Sequence, residues 1–543
     1  MHYIARKKDN MDKLMLLGDE AVAQAGMDAG ISGIYAYPGT PSTEIMEYVQ
    51  KSENANNIFC QWSANEKTAM EAALGMSYTG KRTMVCMKHV GLNVAADPFM
   101  NSAITGINGG FLVVVADDPS MHSSQNEQDS RFYGKFAMIP VLEPSNQQES
   151  YDIVFHGFEL SEKYRLPVMI RLTTRLSHSR SSVKCKKLLG QKSLTLPVDP
   201  KQFILLPAIA RKRYSTLLSY QPDIEKESEH SGYNQLFPGN NNSIGFIACG
   251  LAYNYPMEIV NSNELDHPVL KISQYPLPRL LIQRIKDKCD RLLILEEGYP
   301  LVEEFLKGFP ESDKNILGRL DGSLPREGEL NPDHVAKALG IKIKEGPPVP
   351  DVVKNRPPSL CKGCGHIDMY NALLEVIETY GHGRVFSDIG CYTLGALPPF
   401  NAINSCVDMG ASVTMAKGAA DAGLHPSVCV IGDSTFTHSG MTGLLDAVND
   451  QSPVTVIIGD NSTTGMTGGQ KSSAAGRIEY ICKGIGVPPE HIRLINPLKK
   501  YHIENIAVMK EELAYMGVSV IIARRECIQV ANRRRKEAKT IKS

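Results

Sequence analysis

A chain of 543 residues is too long for a single hydrophobic core and implies several domains. Its 42% hydrophobic and 22% charged residues are ordinary for a globular protein, and a formal charge of -1 argues against a nucleic-acid binder. The apolar patch Leu14 to Leu17 is too short for a signal core and no run approaches a membrane span, so the twelve cysteines read as reduced thiols or metal ligands in a cytoplasmic protein.

In chain order, Glu66 to Tyr78 reads as a helix, and Thr83 to Met87, Phe111 to Ala116 and Pro167 to Leu172 read as buried strands. Ile244 to Ala248 and Arg291 to Leu295 continue the series. Then come Met409 to Ala422 as a helix and Ser427 to Ile431, Val454 to Ile458 and Val518 to Ala523 as strands. Alternating strands and helices predict an α/β, multi-domain protein of parallel sheets, with ligands beyond the strands' C-terminal ends. Two polar stretches, 177–242 and the proline-rich 345–358, read as connecting arms. They divide the chain into 1–178, 179–345 and 355–530, followed by a basic tail, 531–543.

The most informative segment is in the third domain. One apolar strand runs into Gly432-Asp433-Ser434, and a second runs into Gly459-Asp460-Asn461-Ser462-Thr463-Thr464. Asp433 and Asn461 lie 28 positions apart, room for a strand–helix–strand crossover that returns the second strand beside the first. Magnesium takes hard oxygen ligands and leaves positions for phosphates, so Asp433, Asn461 and the Thr463 carbonyl are its candidate ligands. Gly432 would let the backbone approach a diphosphate, and a helix after Ser434 would offer amide donors. The spacing resembles the Gly-Asp-Gly … Asn motif of thiamine-diphosphate enzymes, with Ser434 in place of the last glycine. Read blandly, these are two strand ends with turn-forming residues.

Thiamine chemistry needs a carboxyl group that hydrogen-bonds the cofactor's pyrimidine so that C2 of the thiazolium can lose its proton. Glu66 opens the helix after Gln61-Trp62-Ser63-Ala64-Asn65 and is the candidate. Taken alone, it would only complement the helix dipole.

Together, Tyr37-Pro38-Gly39-Thr40-Pro41, Asn65-Glu66-Lys67, Met87-Lys88-His89-Val90-Gly91-Leu92-Asn93 and Ala116-Asp117-Asp118-Pro119 resemble a pyrimidine-binding domain. The family is that of the large (alpha) subunits of indolepyruvate:ferredoxin oxidoreductases, thiamine-diphosphate-dependent 2-oxoacid oxidoreductases. Cys361-Lys362-Gly363-Cys364-Gly365-His366, Ser387-Asp388-Ile389-Gly390-Cys391-Tyr392 and the 432–465 segment resemble its diphosphate domain. The resemblance covers nearly the whole chain in order. It implies a transketolase-C-like middle domain, cofactor contacts from Gly365 and His366, and Thr40 facing cofactor and keto acid. It also implies two copies of this subunit in a heterotetramer with a small beta subunit. The reaction implied is oxidative decarboxylation of an aryl, indolepyruvate-like 2-oxoacid to acyl-coenzyme A, with electrons passing to ferredoxin or a similar carrier.

Cys361, Cys364 and Cys391 are candidate ligands of a 4Fe-4S cluster, which needs four thiolates. Cys406 and Cys482 are the candidates for the fourth. The alternative is a tight turn that only supports the diphosphate site. The family's ferredoxin-like tail is expected to be lacking: Cys527 stands alone before Arg533-Arg534-Arg535-Lys536, so electrons would leave through another polypeptide or would not be delivered to ferredoxin in the usual way. A non-oxidative thiamine decarboxylase and a non-catalytic thiamine-binding subunit remain as alternatives. Gly75-x4-Gly80-Lys81 imitates a phosphate-binding loop, but it follows a helix and precedes a strand, the reverse of the required order. His89, His122, His366 and His438 lie in the family-like motifs, where supporting roles suit them best.

Overall fold

The computed structural model describes residues 13–53, 57–199, 201–308, 315–343, 346, 348–354 and 358–540. Parts of the 345–358 arm and the extreme ends of the chain lie outside the described residues. The chain divides into two compact units, 1–347 and 348–543.

The N-terminal unit holds two large sheets. In the first, the continuous apolar runs Thr83–Lys88, Phe111–Asp117 and Val168–Thr173 form the buried centre, as expected of parallel strands covered on both faces. Gly33–Ala36 and Phe59–Trp62 extend it on one side. On the other side lie Val141–Leu142 and the antiparallel pair partner Gln274–Tyr275, contributed from beyond the first proposed boundary. The second sheet has Gly245–Cys249, Val269–Ile272, Leu292–Leu295 and Ile316–Leu317 in parallel, with Gln235–Phe237 antiparallel at its edge.

A buried ion network joins the two sheets. Arg171, on a strand of the first, meets Asp117 at 2.6 Å and bonds the Glu297 carbonyl at 2.9 Å. Arg131 meets Glu296 at 3.0 Å and the Tyr275 hydroxyl at 3.1 Å. Removing one partner of such a pair strands a buried charge and costs about 3–5 kcal/mol.

The structure adds one element here and changes one reading from sequence. The patch Leu14 to Leu17 is part of a strand, Lys13–Leu17, paired antiparallel with Arg180–Lys184. The 177–242 stretch is only partly an arm: Leu189 and Thr195 bond the backbone of Asp28 and Thr79, and then Pro207–His230 forms a long helix. Of that helix only Leu217, Ile224 and Ser228 are buried, so its polarity disguised it.

Among the described residues the C-terminal unit is built on a sheet of six parallel strands, with a small antiparallel pair, Thr463–Thr464 and Gln470–Lys471. Ser427–Gly432 and Val454–Asp460 lie at its centre and Ser519–Arg524 beside the latter. Gly365–Ile377 and His502–Ala514 pack with one apolar cluster, and Ala411–Asp421 and Met441–Asn449 with another. No described helix is long and apolar enough to cross a membrane.

Candidate active site

Parallel pairing sets Gly432 in register with Gly459, so Asp433 and Asp460 stand together just past two neighbouring strand ends. Both are buried. Arg524 Nε holds Asp460 Oδ2 at 2.6 Å and its guanidinium also grips Glu479. Among the described residues no such cation meets Asp433, and burial together with the neighbouring Asp460 pushes its carboxyl up to about 7. Asp433 Oδ2 and Asp460 Oδ1 are buried without hydrogen-bond partners among the described residues. Adjacent acceptors with nothing to accept fit a hard divalent cation.

Asn461 Oδ1 accepts from the Thr463 amide at 3.0 Å, and Ser462, at φ 63°, turns the chain into the short strand Thr463–Thr464. The Ser434 and Thr464 hydroxyls meet at 2.9 Å. Gly432, Asp433, Ser434, Asn461 and Thr463 are thus brought together. Two details differ from expectation. After Asp433–Thr435 comes a π-helical turn, Phe436–Gly440, before the helix Met441–Asn449, a local widening often found at functional sites. Gly432 is required by Tyr392: a Cβ there would lie 2.6 Å from its ring.

Cys361 and Cys364 close a tight turn, with the Cys364 amide donating to the Cys361 carbonyl at 2.9 Å, just before the helix Gly365–Ile377. His366 is buried in that helix, and desolvation pushes it down to about 4, so it is neutral. Its Nε2 would lie 3.0 Å from a Cβ at Gly459, so the glycine admits the ring over the strand end.

Cys361, Cys364, Cys391 and Cys527 all line one cavity, whose wall includes Gly365, His366, Asp460 and Asn461. At about 80 Å³ the space is far below the roughly 300 Å³ where organic ligand pockets begin, and suits a compact inorganic group. Burial raises Cys364 and pushes Cys391 up to about 12, and in each the other thiols, Cys527 included, add to the rise. The fourth thiol lining this cavity is Cys527, while the sequence candidates Cys406 and Cys482 are not among its lining residues. Cys406 is exposed, and Cys482 is buried in the helix Ile478–Ile485. Cys527 arrives because Ser519–Arg524 runs beside Val454–Asp460, which brings its amide to 3.3 Å from the Asn461 carbonyl. Among the described residues no three His, Cys, Asp or Glu side chains are spaced for a single ion.

In the N-terminal unit Glu66 is buried at the start of the helix Glu66–Tyr78. Asn65 caps that helix, accepting from the Thr68 amide at 2.9 Å. Glu66 is backed by Gly91, where a Cβ would lie 2.5 Å from its Oε1. Thr40 is half-buried in a tight loop, with its carbonyl accepting from the Ser123 hydroxyl at 3.1 Å. Of the histidines outside the cysteine cavity, His89 is buried against the Asn126 carbonyl, His122 pairs with Glu329, and His438 meets Ser439. Asp460 was overlooked in the sequence, although Gly-Asp recurs at both strand ends.

A family model described as "Pyruvate flavodoxin/ferredoxin oxidoreductase, thiamine diP-bdg" matches residues 24–212, and one described as "Thiamine pyrophosphate enzyme, C-terminal TPP binding domain" matches 388–512. A solved 2-oxoglutarate:ferredoxin oxidoreductase from Magnetococcus marinus is a far more distant likeness. It has 16% identity and a TM-score of 0.49 over 61% of this chain and 65% of that one. Indolepyruvate oxidoreductase subunit IorA of Archaeoglobus fulgidus is 39% identical over 98% of this chain and 89% of its own length. The subunit of the same name from Methanothermobacter thermautotrophicus is 37% identical over 95% and 87%. With identity of that order along nearly the whole sequence, the chain belongs to the IorA family of indolepyruvate oxidoreductase subunits.

Proposed function

We propose that this chain oxidatively decarboxylates aryl 2-oxoacids of the indolepyruvate type to acyl-coenzyme A, using thiamine diphosphate and magnesium. A 4Fe-4S cluster, when bound, would supply the one-electron path to ferredoxin or a similar carrier. The observation that carries this reading is one cavity walled by four thiols and by the strand end that carries Asp460, whose Oδ1, like Oδ2 of the neighbouring Asp433, has no hydrogen-bond partner among the described residues. A one-electron acceptor beside a diphosphate site suits oxidation and favours it over simple aldehyde release.

Asp433, Asn461 and the Thr463 carbonyl would hold the magnesium, which would pair the stranded carboxylate oxygen with a cation. Gly365 and His366 border the diphosphate, and a neutral histidine there adds no competing charge. When bound, thiamine diphosphate supplies a nucleophilic carbon and takes up the electron pair left by departing carbon dioxide. Glu66 keeps a carboxyl on the pyrimidine nitrogen, and its burial excludes the water that would compete for that hydrogen bond. Thr40 faces the keto acid. Cys361, Cys364, Cys391 and Cys527 would hold the cluster as thiolates. Two copies act with a small beta subunit, in the cytoplasm.

Iron, acid-labile sulfide, thiamine and magnesium measured on protein purified without oxygen test the reading. Roughly four irons per chain on the four-cysteine set are expected. Thiamine without iron would overturn the cluster and move oxidation elsewhere. Glu66→Gln should lose most turnover while keeping cofactor, and full activity would refute its role.

A further inference from the structure

The strand Thr83–Lys88 ends between the Thr40 loop and the segment that backs Glu66. Its last side chain, Lys88, is 9% exposed. Among the described residues its ammonium has two hydrogen-bond acceptors, the Ser123 carbonyl at 2.7 Å and the Ser123 hydroxyl at 3.2 Å. An ammonium has three N–H donors, so one is unspent. Asp118 lies 3.9 Å away, beyond hydrogen-bond reach. Its carboxylate is already occupied by the Ser123 amide at 2.8 Å, the Ser124 hydroxyl at 2.5 Å and Thr174 at 2.7 Å. Burial pushes the Lys88 ammonium down to about 8, against the pull of Asp118, so the charge is under-compensated where it sits. The Ser123 hydroxyl that meets Lys88 also reaches the Thr40 carbonyl, tying the lysine to the loop assigned to the keto acid.

Neighbouring cations are committed. Arg171 is taken by Asp117 and Glu143. Arg175 bonds Glu329 and the Leu330 carbonyl, and His122 also pairs with Glu329.

We propose that Lys88 binds the carboxylate of the 2-oxoacid through its unspent N–H. The assignment rests on reading the chain as a 2-oxoacid oxidoreductase. Ligands of parallel sheets sit at this end of the strands, and a charge-assisted hydrogen bond in a nearly dry site is strong. A lysine, with a point charge and one spare donor, holds the carboxylate less tightly than an arginine fork would. That matters because the group must leave as neutral carbon dioxide, and over-stabilising it would slow the reaction. As its charge disappears, the ammonium keeps Ser123 and the nearby Asp118.

The test uses the holoenzyme with its small subunit and two competing ligands of equal shape, 3-phenylpropanoate and 3-phenylpropanamide. Wild type should prefer the carboxylate by about tenfold or more, the span of one charged hydrogen bond. Lys88→Gln keeps a polar contact to Ser123 without the charge. It should lose that preference and raise KM for the 2-oxoacid by about 10- to 100-fold, with bound thiamine unchanged. Lys88→Arg should keep the preference, and its loss in a folded Lys88→Arg enzyme would overturn the assignment even if Lys88→Gln failed to fold. A wild-type preference that survives in Lys88→Gln would overturn this assignment alone. A wild type that binds neither 2-oxoacid nor carboxylate would overturn the proposed function with it.

Discussion

Asp19 offers a prediction whose size follows from the structure. It lies in the first turn of the helix Gly18–Asp28 and is fully buried. Desolvation pushes its carboxyl up to about 8; Glu44 and Glu20 add to the rise, and Ser177 and His178 offset part of it. An unfolded aspartate ionises near 3.9. Between those values the folded state holds a proton that the unfolded state has lost. Stability therefore falls as pH rises, by up to about 1.4 kcal/mol per pH unit. The N-terminal unit runs to Pro347. At about 2.1 cal/mol/K per residue its unfolding entropy is roughly 0.7 kcal/mol/K, which converts the slope to about 2 °C per pH unit. Asp19→Asn removes the titration, whatever fixed cost its amide brings. In scanning calorimetry the variant's midpoint should rise relative to that of wild type by about 4 °C from pH 5 to pH 7. Parallel curves would show that Asp19 is ionised in the folded protein and refute the reasoning.

Three further outcomes are expected. Cys527→Ser should lower iron and sulfide to less than about half the wild-type content, whereas Cys482→Ser should leave both unchanged. Gly91→Ala places a methyl against Glu66 and should cut kcat about 100-fold by displacing its carboxyl, with bound thiamine retained; normal kcat would mean Glu66 is not held by that contact. Asp433→Asn should have opposite effects in two assays. The cofactor-free protein should melt higher, because the repulsion from Asp460 is gone. Magnesium-dependent binding of thiamine diphosphate should weaken by at least about tenfold.

Much of the fold was legible because long apolar runs have few other uses. The strands beginning at Thr83, Phe111, Ser427 and Val454 start at the residues where the runs start, and the helix Glu66–Tyr78 matches its reading at both ends. Gly33–Ala36, Phe59–Trp62 and Val385–Ser387 escaped notice because three or four residues carry no measurable period. The Pro207–His230 helix escaped because it is polar nearly all round and contains Pro222.

Residue types and their local spacing, as in Cys361-x-x-Cys364 or Gly432-Asp433, were determined by the sequence itself, because a turn or strand end is built from neighbours. Three juxtapositions were decided only by the tertiary structure. Asp433 meets Asp460 because two parallel strands share a register. Cys527 joins the other three thiols because a third strand returns its chain to Asn461. Lys88 keeps a spare donor because Ser123, Ser124 and Thr174 crowd Asp118 from two other segments. Contacts between segments far apart in the chain arise from sheet register and burial, and no local spacing rule encodes them.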